Sequence, residues 1–388
     1  MPEILDQLQR VALFPALGQM TYLNTAWRGP ISRPAADAAK RYIDDLALRG
    51  VTAFEDWQHT WYATREAFAA FVGARTDEIQ FLPNATEAFA RIALGLDWQP
   101  GDHVVVPGRD YPGVARALND LARRGVQVAN VPTRADGSVP AQDLLDAIVP
   151  RTRLVAASHV DFRTGYRIDA AVLSAGCRAR GVLCALDMVQ SIGCVAVDLR
   201  AAGPDFATFA GRKWLNGLDT LAALYVRTES LPALTPHTQG TYSVPRPYDF
   251  EHPDQPLAPG AQRFQLGAPS MPQVYALQAA LKLQADVGPA RILARVTELA
   301  SELRAAAADA GFAVIGNDWP AQNQSGIVTL RRQGKLAEAE GVDTLGARLA
   351  AAKVAASARQ GILRVSPHFY NNSADLQRLL QVLGQVDG

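Results

Sequence analysis

DFATFAGRKWLNG, residues 205–217, is a short apolar run that breaks off into Lys213. Upstream, GVLCALDMVQSIGCVAVDL (181–199) begins with a similar run that ends in Asp187, with Gln190 three residues on. About one strand–connection–strand unit separates the acid from the lysine. On either side, HVVVPG (103–108), VQVANVP (126–132), RLVAASHV (153–160) and LAALYV (221–226) are further short runs that look buried on both faces. Amphipathic stretches such as VARALNDLARRG (114–125) alternate with them, that one stopped by Gly125. Strands separated by helices predict an α/β fold with a mostly parallel sheet flanked by helices. Ligands of such sheets bind beyond the carboxyl ends of the strands, which is where Asp187 and Lys213 fall.

Helical spacing also marks Arg33–Leu48 and Glu55–Val72 ahead of the strand series. After it, SVPRPYDFEHPDQPLAPGAQ (243–262) is rich in proline and polar residues and reads as an irregular connection. Ala-rich helices at Val274–Ala285 and Ile292–Ala310 follow, then strands near Gly326–Leu330 and Ile362–Ser366 and a last helix. The expected organisation is a large domain over 14–250 and a smaller α+β C-terminal domain over 251–388, joined by about residues 1–13. The 388 residues are ample for both. Lys plus Arg equals Asp plus Glu at 38 each, so no basic field is available for nucleic acid or anionic lipid. No run reaches the roughly 20 apolar residues of a membrane span, and the amino end does not read as a signal peptide. Cys177, Cys184 and Cys194 are an odd set without framework or metal-site spacing, which points to reduced, buried thiols and a cytoplasmic location.

Four segments carry the chemistry. An acid at a strand end ordinarily caps the next turn, and a lysine after a strand is ordinarily solvated. On adjacent strand ends, Asp187 and Lys213 acquire a joint meaning. Pyridoxal 5'-phosphate (PLP) needs a lysine amine for its Schiff base and an acid that keeps its pyridine nitrogen protonated, and the lysine then shuttles protons. In FLPNATEAFARIA (81–93), Asn84 or Thr86 caps a helix whose first amides favour an anion, so Ala85 and Thr86 form a candidate phosphate cup. In GILRVSPHFYNN (361–372), Arg364 lies within an apolar strand; a substrate carboxylate or a structural salt bridge would compensate its charge.

Taken jointly, these stretches resemble the class V aminotransferase family, which includes cysteine desulfurases, selenocysteine lyases, kynureninase and isopenicillin N epimerase. The resemblance runs from YLNTAWRGP (22–30) to RVSPHFYNN (364–372). It implies the PLP transferase fold of type I, with a seven-stranded sheet, and a homodimer. Lys213 resembles the Schiff-base lysine, Asp187 the partner of the pyridinium nitrogen and Gln190 the neighbour of the ring hydroxyl. Thr86 with the Ala85 backbone resembles the phosphate cup. Tyr111 stands where the family stacks a ring on PLP, often a histidine, and His159 lies in SHVDFRTG, similar to the family's S-H-V-x-x-x-T-G. Arg364 resembles the substrate-carboxylate arginine, and Ala26 lines the substrate side. Departures fall at Ala268, where the family commonly has a threonine that reaches a phosphate across the dimer, with Ser270 as a possible replacement. Arg212 precedes the lysine where the family often has histidine and is a candidate for phosphate charge. Phe162 stands for a common asparagine, and Trp27–Arg28 for a small residue and histidine. These put the substrate's identity in question, and Arg28 is expected either to read its side chain or to form a surface salt bridge.

The expected substrate is a small amino acid, with a keto acid as possible co-substrate. Transamination is the leading reaction; β-elimination of a sulfur-containing amino acid and epimerisation are the alternatives, with a catalytically idle PLP-fold binding protein less favoured. GVDTLGARLAAAKVAASARQGILR (341–364) contains no cysteine, which argues against persulfide-forming desulfuration.

Overall fold

The computed structural model describes residues 3–332, 342–359 and 361–384, so that Gly341 and Gln360 of the cysteine-free stretch lie outside them. Thirteen strands are defined among the described residues. β1 is Thr21–Tyr22, β2 Ile79–Leu82, β3 His103–Pro107, β4 Gln127–Val131, β5 Thr152–Ser158, β6 Leu183–Asp187 and β7 Phe206–Ala210. β8 is Ala222–Val226, β9 Phe312–Val314, β10 Val328–Arg332, β11 Val354–Ala355, β12 Ser357–Arg359 and β13 Ile362–Val365.

Seven of them make one sheet in the order β2-β8-β7-β6-β5-β3-β4. The five from β7 to β4 run parallel, while β8 is antiparallel to both β2 and β7. The exception has a local cause: Gly211–Leu221 joins β7 to β8 without a helix, so the chain turns back instead of crossing over. The alternation inherent in a strand explains the continuous apolar runs. Val104 and Val106 of β3 pack into the core on one face and Val105 into the core on the other. Leu154 and Ala156 of β5 divide from Val155 and Ala157 in the same way. Both faces are covered by helices, as expected of an α/β sheet.

The helices Arg33–Arg49 and Phe54–Phe71 match the expected spans within a residue or two. Met271–Val287 lies against both; Ala276 and Ala280 meet Ala35 and Ala39, where small side chains let the backbones approach. A second, four-stranded antiparallel sheet, β12-β13-β10-β9, is covered by Pro289–Asp309 and Ser373–Gly384, whose leucines close a separate core. The amino-terminal segment is bound to the C-terminal region by backbone pairing. β1 pairs in parallel with β11, and Asn24 bridges to Ser366. The segment from Thr21 to Pro30 therefore runs from the C-terminal region to the loop after β7, where the Gly29 amide donates to the Arg212 carbonyl and Asn216 Nδ2 to the Pro30 carbonyl.

Candidate active site

Three neighbouring strand ends fix the site's floor. Asp187, the last residue of β6, is in register with Ser158 of β5 on one side and Thr208 of β7 on the other. Asp187 Oδ1 accepts from the Val189 amide (3.0 Å) and Thr208 Oγ1 (3.3 Å), while no hydrogen bond reaches Oδ2. Burial raises its pKa above the ordinary carboxylate range, opposed by the Val189 amide and the Lys213 charge. Lys213 follows β7 on the adjoining loop and is buried. Burial pulls its amine down to about 7, against the pull of Asp187 and with the repulsion of Arg364 and Arg212. Its Nζ lies 5.4 Å from the centre of the Tyr111 ring.

A cavity of about 520 Å³ opens above this floor. Ala26, Tyr111, Phe162, Gln190, Arg212, Lys213 and Arg364 all line it. The sequence thus brings together residues from both ends of the chain. Gln190 is a strut: its Oε1 accepts from Trp214 Nε1 (2.8 Å) and its Nε2 donates to the Ala26 carbonyl (2.9 Å). Ala26 is tied in turn to Ser366 Oγ through its amide at 3.0 Å. Tyr111 meets Phe162 edge to face, with centroids 5.4 Å apart. Arg364 comes from β13 and is buried, which lowers its pKa to about 10; its Nη1 donates to the Phe162 carbonyl and its Nε has no partner.

Besides Asp187, three expected residues stand behind the lining. Ala85 and Thr86 open the helix Ala85–Gly95, where Asn84 caps the Glu87 amide (2.8 Å); the amides before it are the ones a helix leaves for an anion. Gly113 packs against both Thr86 and Tyr111: a Cβ there would lie 2.5 Å from Thr86 Oγ1 and 3.0 Å from the Tyr111 ring. His159 is buried beneath, its Nδ1 paired with Ser191 Oγ (2.8 Å) and its amide with the Asp187 carbonyl. Burial lowers its pKa to about 4, so the ring is neutral. Arg28 lies elsewhere. Its side chain is 53% exposed, pairs with Asp219 and lines a neighbouring cavity. Arg212 faces both cavities and shares Asp219 at 3.4 Å.

Sequence reasoning passed over Asp110, a buried carboxylate on the lining. It accepts from the Ser158 amide (2.8 Å), Ser158 Oγ and the Tyr111 amide (2.5 Å), and burial pushes it up to about 7. Its position three residues after the end of β3 and directly before Tyr111 was the available signal. Cys177, Cys184 and Cys194 are free and buried, and none lines the cavity. No His, Cys, Asp and Glu grouping able to hold a metal occurs among the described residues.

The model of the aminotransferase class-V family matches residues 46–379. The chain belongs to that family. Among similar class-V proteins is an uncharacterized aminotransferase of Bacillus subtilis, 29% identical over 370 residues and 95% of each chain. Another is isopenicillin N epimerase of Streptomyces clavuligerus, 28% identical over 94% of each chain. The class-V fold here also matches a solved C-DES mutant with glycine covalently linked to its PLP cofactor, at a TM-score of 0.89 and 23% identity, over 97% of this chain and 99% of that one. Class-V enzymes depend on PLP, and PLP is the cofactor of this chain. The residues present fit it: a buried amine, a carboxylate with one oxygen unengaged beside it, and a flat ring over the amine.

Proposed function

We propose that this PLP enzyme acts at the α-carbon of an amino acid and that its reaction is amino-group transfer to a keto acid. The observation that carries the reading is the buried Lys213 amine. It is poised near neutrality, faces the Tyr111 ring, and shares the lining with no thiol. In this reading Lys213 holds the cofactor, Asp187 Oδ2 holds the proton of its ring nitrogen, and Tyr111 lies on its face. The Ala85 and Thr86 amides with Arg212 meet the phosphate, and Gln190 keeps the ring side of the wall in place. Bound PLP supplies an aldehyde for the substrate amine and a ring that accepts the electron pair released at the α-carbon.

The chain's own residues supply the rest. Arg364 binds the α-carboxylate and so aligns the α-hydrogen. Lys213, freed when substrate enters, takes that proton and redelivers it. Epimerisation requires a second acid on the opposite face. Asp110, the lining carboxylate, is held by three hydrogen-bond donors instead. Persulfide transfer requires a thiol within reach, and the three cysteines lie away from the lining.

The deciding experiment incubates the holoenzyme with a panel of amino acids and keto acids. Keto-acid formation matched by a new amino acid supports transfer. Pyruvate with ammonia and sulfide, or racemised substrate without keto acid, would replace it with elimination or epimerisation. Homodimerisation belongs to the same reading and is supported by exposed Ile43, Leu46, Leu48, Val51, Tyr248 and Phe250. Light scattering of the holoenzyme tests it. The free thiols suit a reducing, cytoplasmic compartment; none of the helices among the described residues is long and apolar enough to cross a membrane.

A further inference from the structure

The cavity's charge is lopsided. Arg109, Arg163, Arg212, Lys213, Arg359 and Arg364 line it, against Asp110 alone among the acids. Asp110 is already engaged by Ser158 and Tyr111. Arg212 has Asp219, and Arg364 takes the α-carboxylate in the proposed function. Two negative charges of a phosphate and one of an α-carboxylate still leave cationic groups at the mouth unanswered.

Arg359 is the one whose position is built. β12 and β13 form an antiparallel hairpin with Ser357 opposite Arg364 and Arg359 opposite Ile362. Alternate residues of a hairpin share a face, and Ser357, Arg359, Ile362 and Arg364 all line the cavity. The hairpin therefore presents two guanidinium groups on one wall. The charge of Arg359 adds to burial in lowering the pKa of Arg364.

Arg359 also has a brace. Its Cζ lies 4.2 Å from the centre of the Trp27 ring, and Trp27 follows Ala26, which also lines the cavity. Stacking occupies a face of the guanidinium and leaves its N–H edge free for a planar, bidentate acceptor. No acidic side chain pairs with Arg359 among the described residues, whereas surface arginines such as Arg49, Arg75 and Arg134 each have a carboxylate. Like charges on one wall repel, and a ligand anionic at both ends relieves both.

We propose that Arg359, stacked on Trp27, binds a carboxylate at the far end of the substrate's side chain, so that the substrate class is an α-amino dicarboxylic acid and its keto acid. This deepens the proposed function and rests on it for the placement of Arg364. Arg28, for which the sequence left side-chain recognition or a surface salt bridge open, is paired with Asp219 and opens onto the other cavity.

The test measures calorimetric binding of unreactive acids to the holoenzyme, with glutarate against pentanoate as a length-matched pair. Glutarate binds about tenfold tighter to the wild type, the worth of one charge-assisted contact. Arg359→Gln brings glutarate down to the affinity of pentanoate, Arg364→Gln weakens both acids, and Arg28→Gln keeps the preference. Equal affinities in the wild type, or a preference that survives Arg359→Gln, overturn the proposal. The visible cofactor band is recorded on the same samples. Its absence removes the PLP reading, while the comparison of the two acids still decides whether Arg359 recognises the second carboxylate.

Discussion

Arg364 donates from Nη1 to the Phe162 carbonyl at 2.6 Å, a bond that fastens β13 to the loop after β5. The bond fixes the plane of the guanidinium and leaves its Nε unpaired. In the proposed function, replacing Arg364 with Gln removes a charge-assisted, bidentate contact of about 1.5–3 kcal/mol to the α-carboxylate. The expected result is a kcat/KM lower by roughly ten- to a hundredfold with an unchanged cofactor absorption band. Lysine at this position restores charge but not the planar fork, and recovers only part of the loss.

Lys213 gives a pH signature. Its amine is held down to about 7 by burial, so it is substantially uncharged at neutrality, and protonation increases below that point. Uptake of PLP by cofactor-free enzyme requires the uncharged amine. Its rate should be flat above pH 8 and fall about tenfold per unit well below 7. Stopped-flow absorption measures this, and in Lys213→Ala borohydride should fix no cofactor to the protein that survives denaturation. A flat profile from pH 5 to 9 would mean that a different group captures the cofactor.

Gly29 is tested by adding a single methyl group. A Cβ there would lie 2.1 Å from the Lys213 carbonyl and 2.7 Å from Asn216 Nδ2. The Gly29 amide also donates to the Arg212 carbonyl at 3.0 Å. Gly29→Ala must push the lysine loop away, at a cost of about 1–3 kcal/mol typical of overpacking. Thermal denaturation should register the loss, and cofactor affinity should fall with it.

His368 is locked in its neutral form. Nδ1 accepts from the Phe369 amide (2.7 Å), and Nε2 donates to the Trp214 carbonyl (2.8 Å), a tautomer assigned from these partners. Burial lowers its pKa to about 4. The unfolded chain binds this proton near pH 6.5, so the histidine's contribution to stability is intact above 6.5 and is lost as pH falls from there towards 4. The slope is at most about 1.4 kcal/mol per unit. Denaturant midpoints of wild type and His368→Gln, compared at pH 7 and 5, should converge at the lower pH.

Arg28→Ala should leave kcat/KM for acidic and neutral amino acids alike, because an exposed ion pair contributes about 0–1 kcal/mol. A selective loss on acidic substrates would return Arg28 to the substrate side.

The sheet was legible because its information is local. Runs such as RLVAASHV and GVLCALD are buried on both faces, and that burial is written into consecutive residues. Asp187 and Lys213 were legible for the same reason, as polar residues where apolar runs stop. The reversal of β8 was not, since LAALYV carries no mark of direction. Arg28 and Arg359 show the same boundary within the site. Arg28 lies in a loop and Arg359 ends β12, and what separates their roles is Asp219 in one case and Trp27 in the other. Such partners are set by the packing of distant segments, which no periodicity in the sequence records.

The tie between Ala26 and Ser366 spans 340 positions in the chain, and β1 finds its partner in β11. During synthesis the segment that carries β1 and Ala26 leaves the ribosome long before those partners exist. The large sheet can form while translation continues, since β2 to β8 are complete by Val226. The wall that carries Ala26 and Trp27 cannot, because contacts of such high sequence separation form only after the loop between them closes. A nascent chain is thus without an assembled substrate wall until β11 and Ser366 have emerged, and maturation of the site follows that of the large sheet.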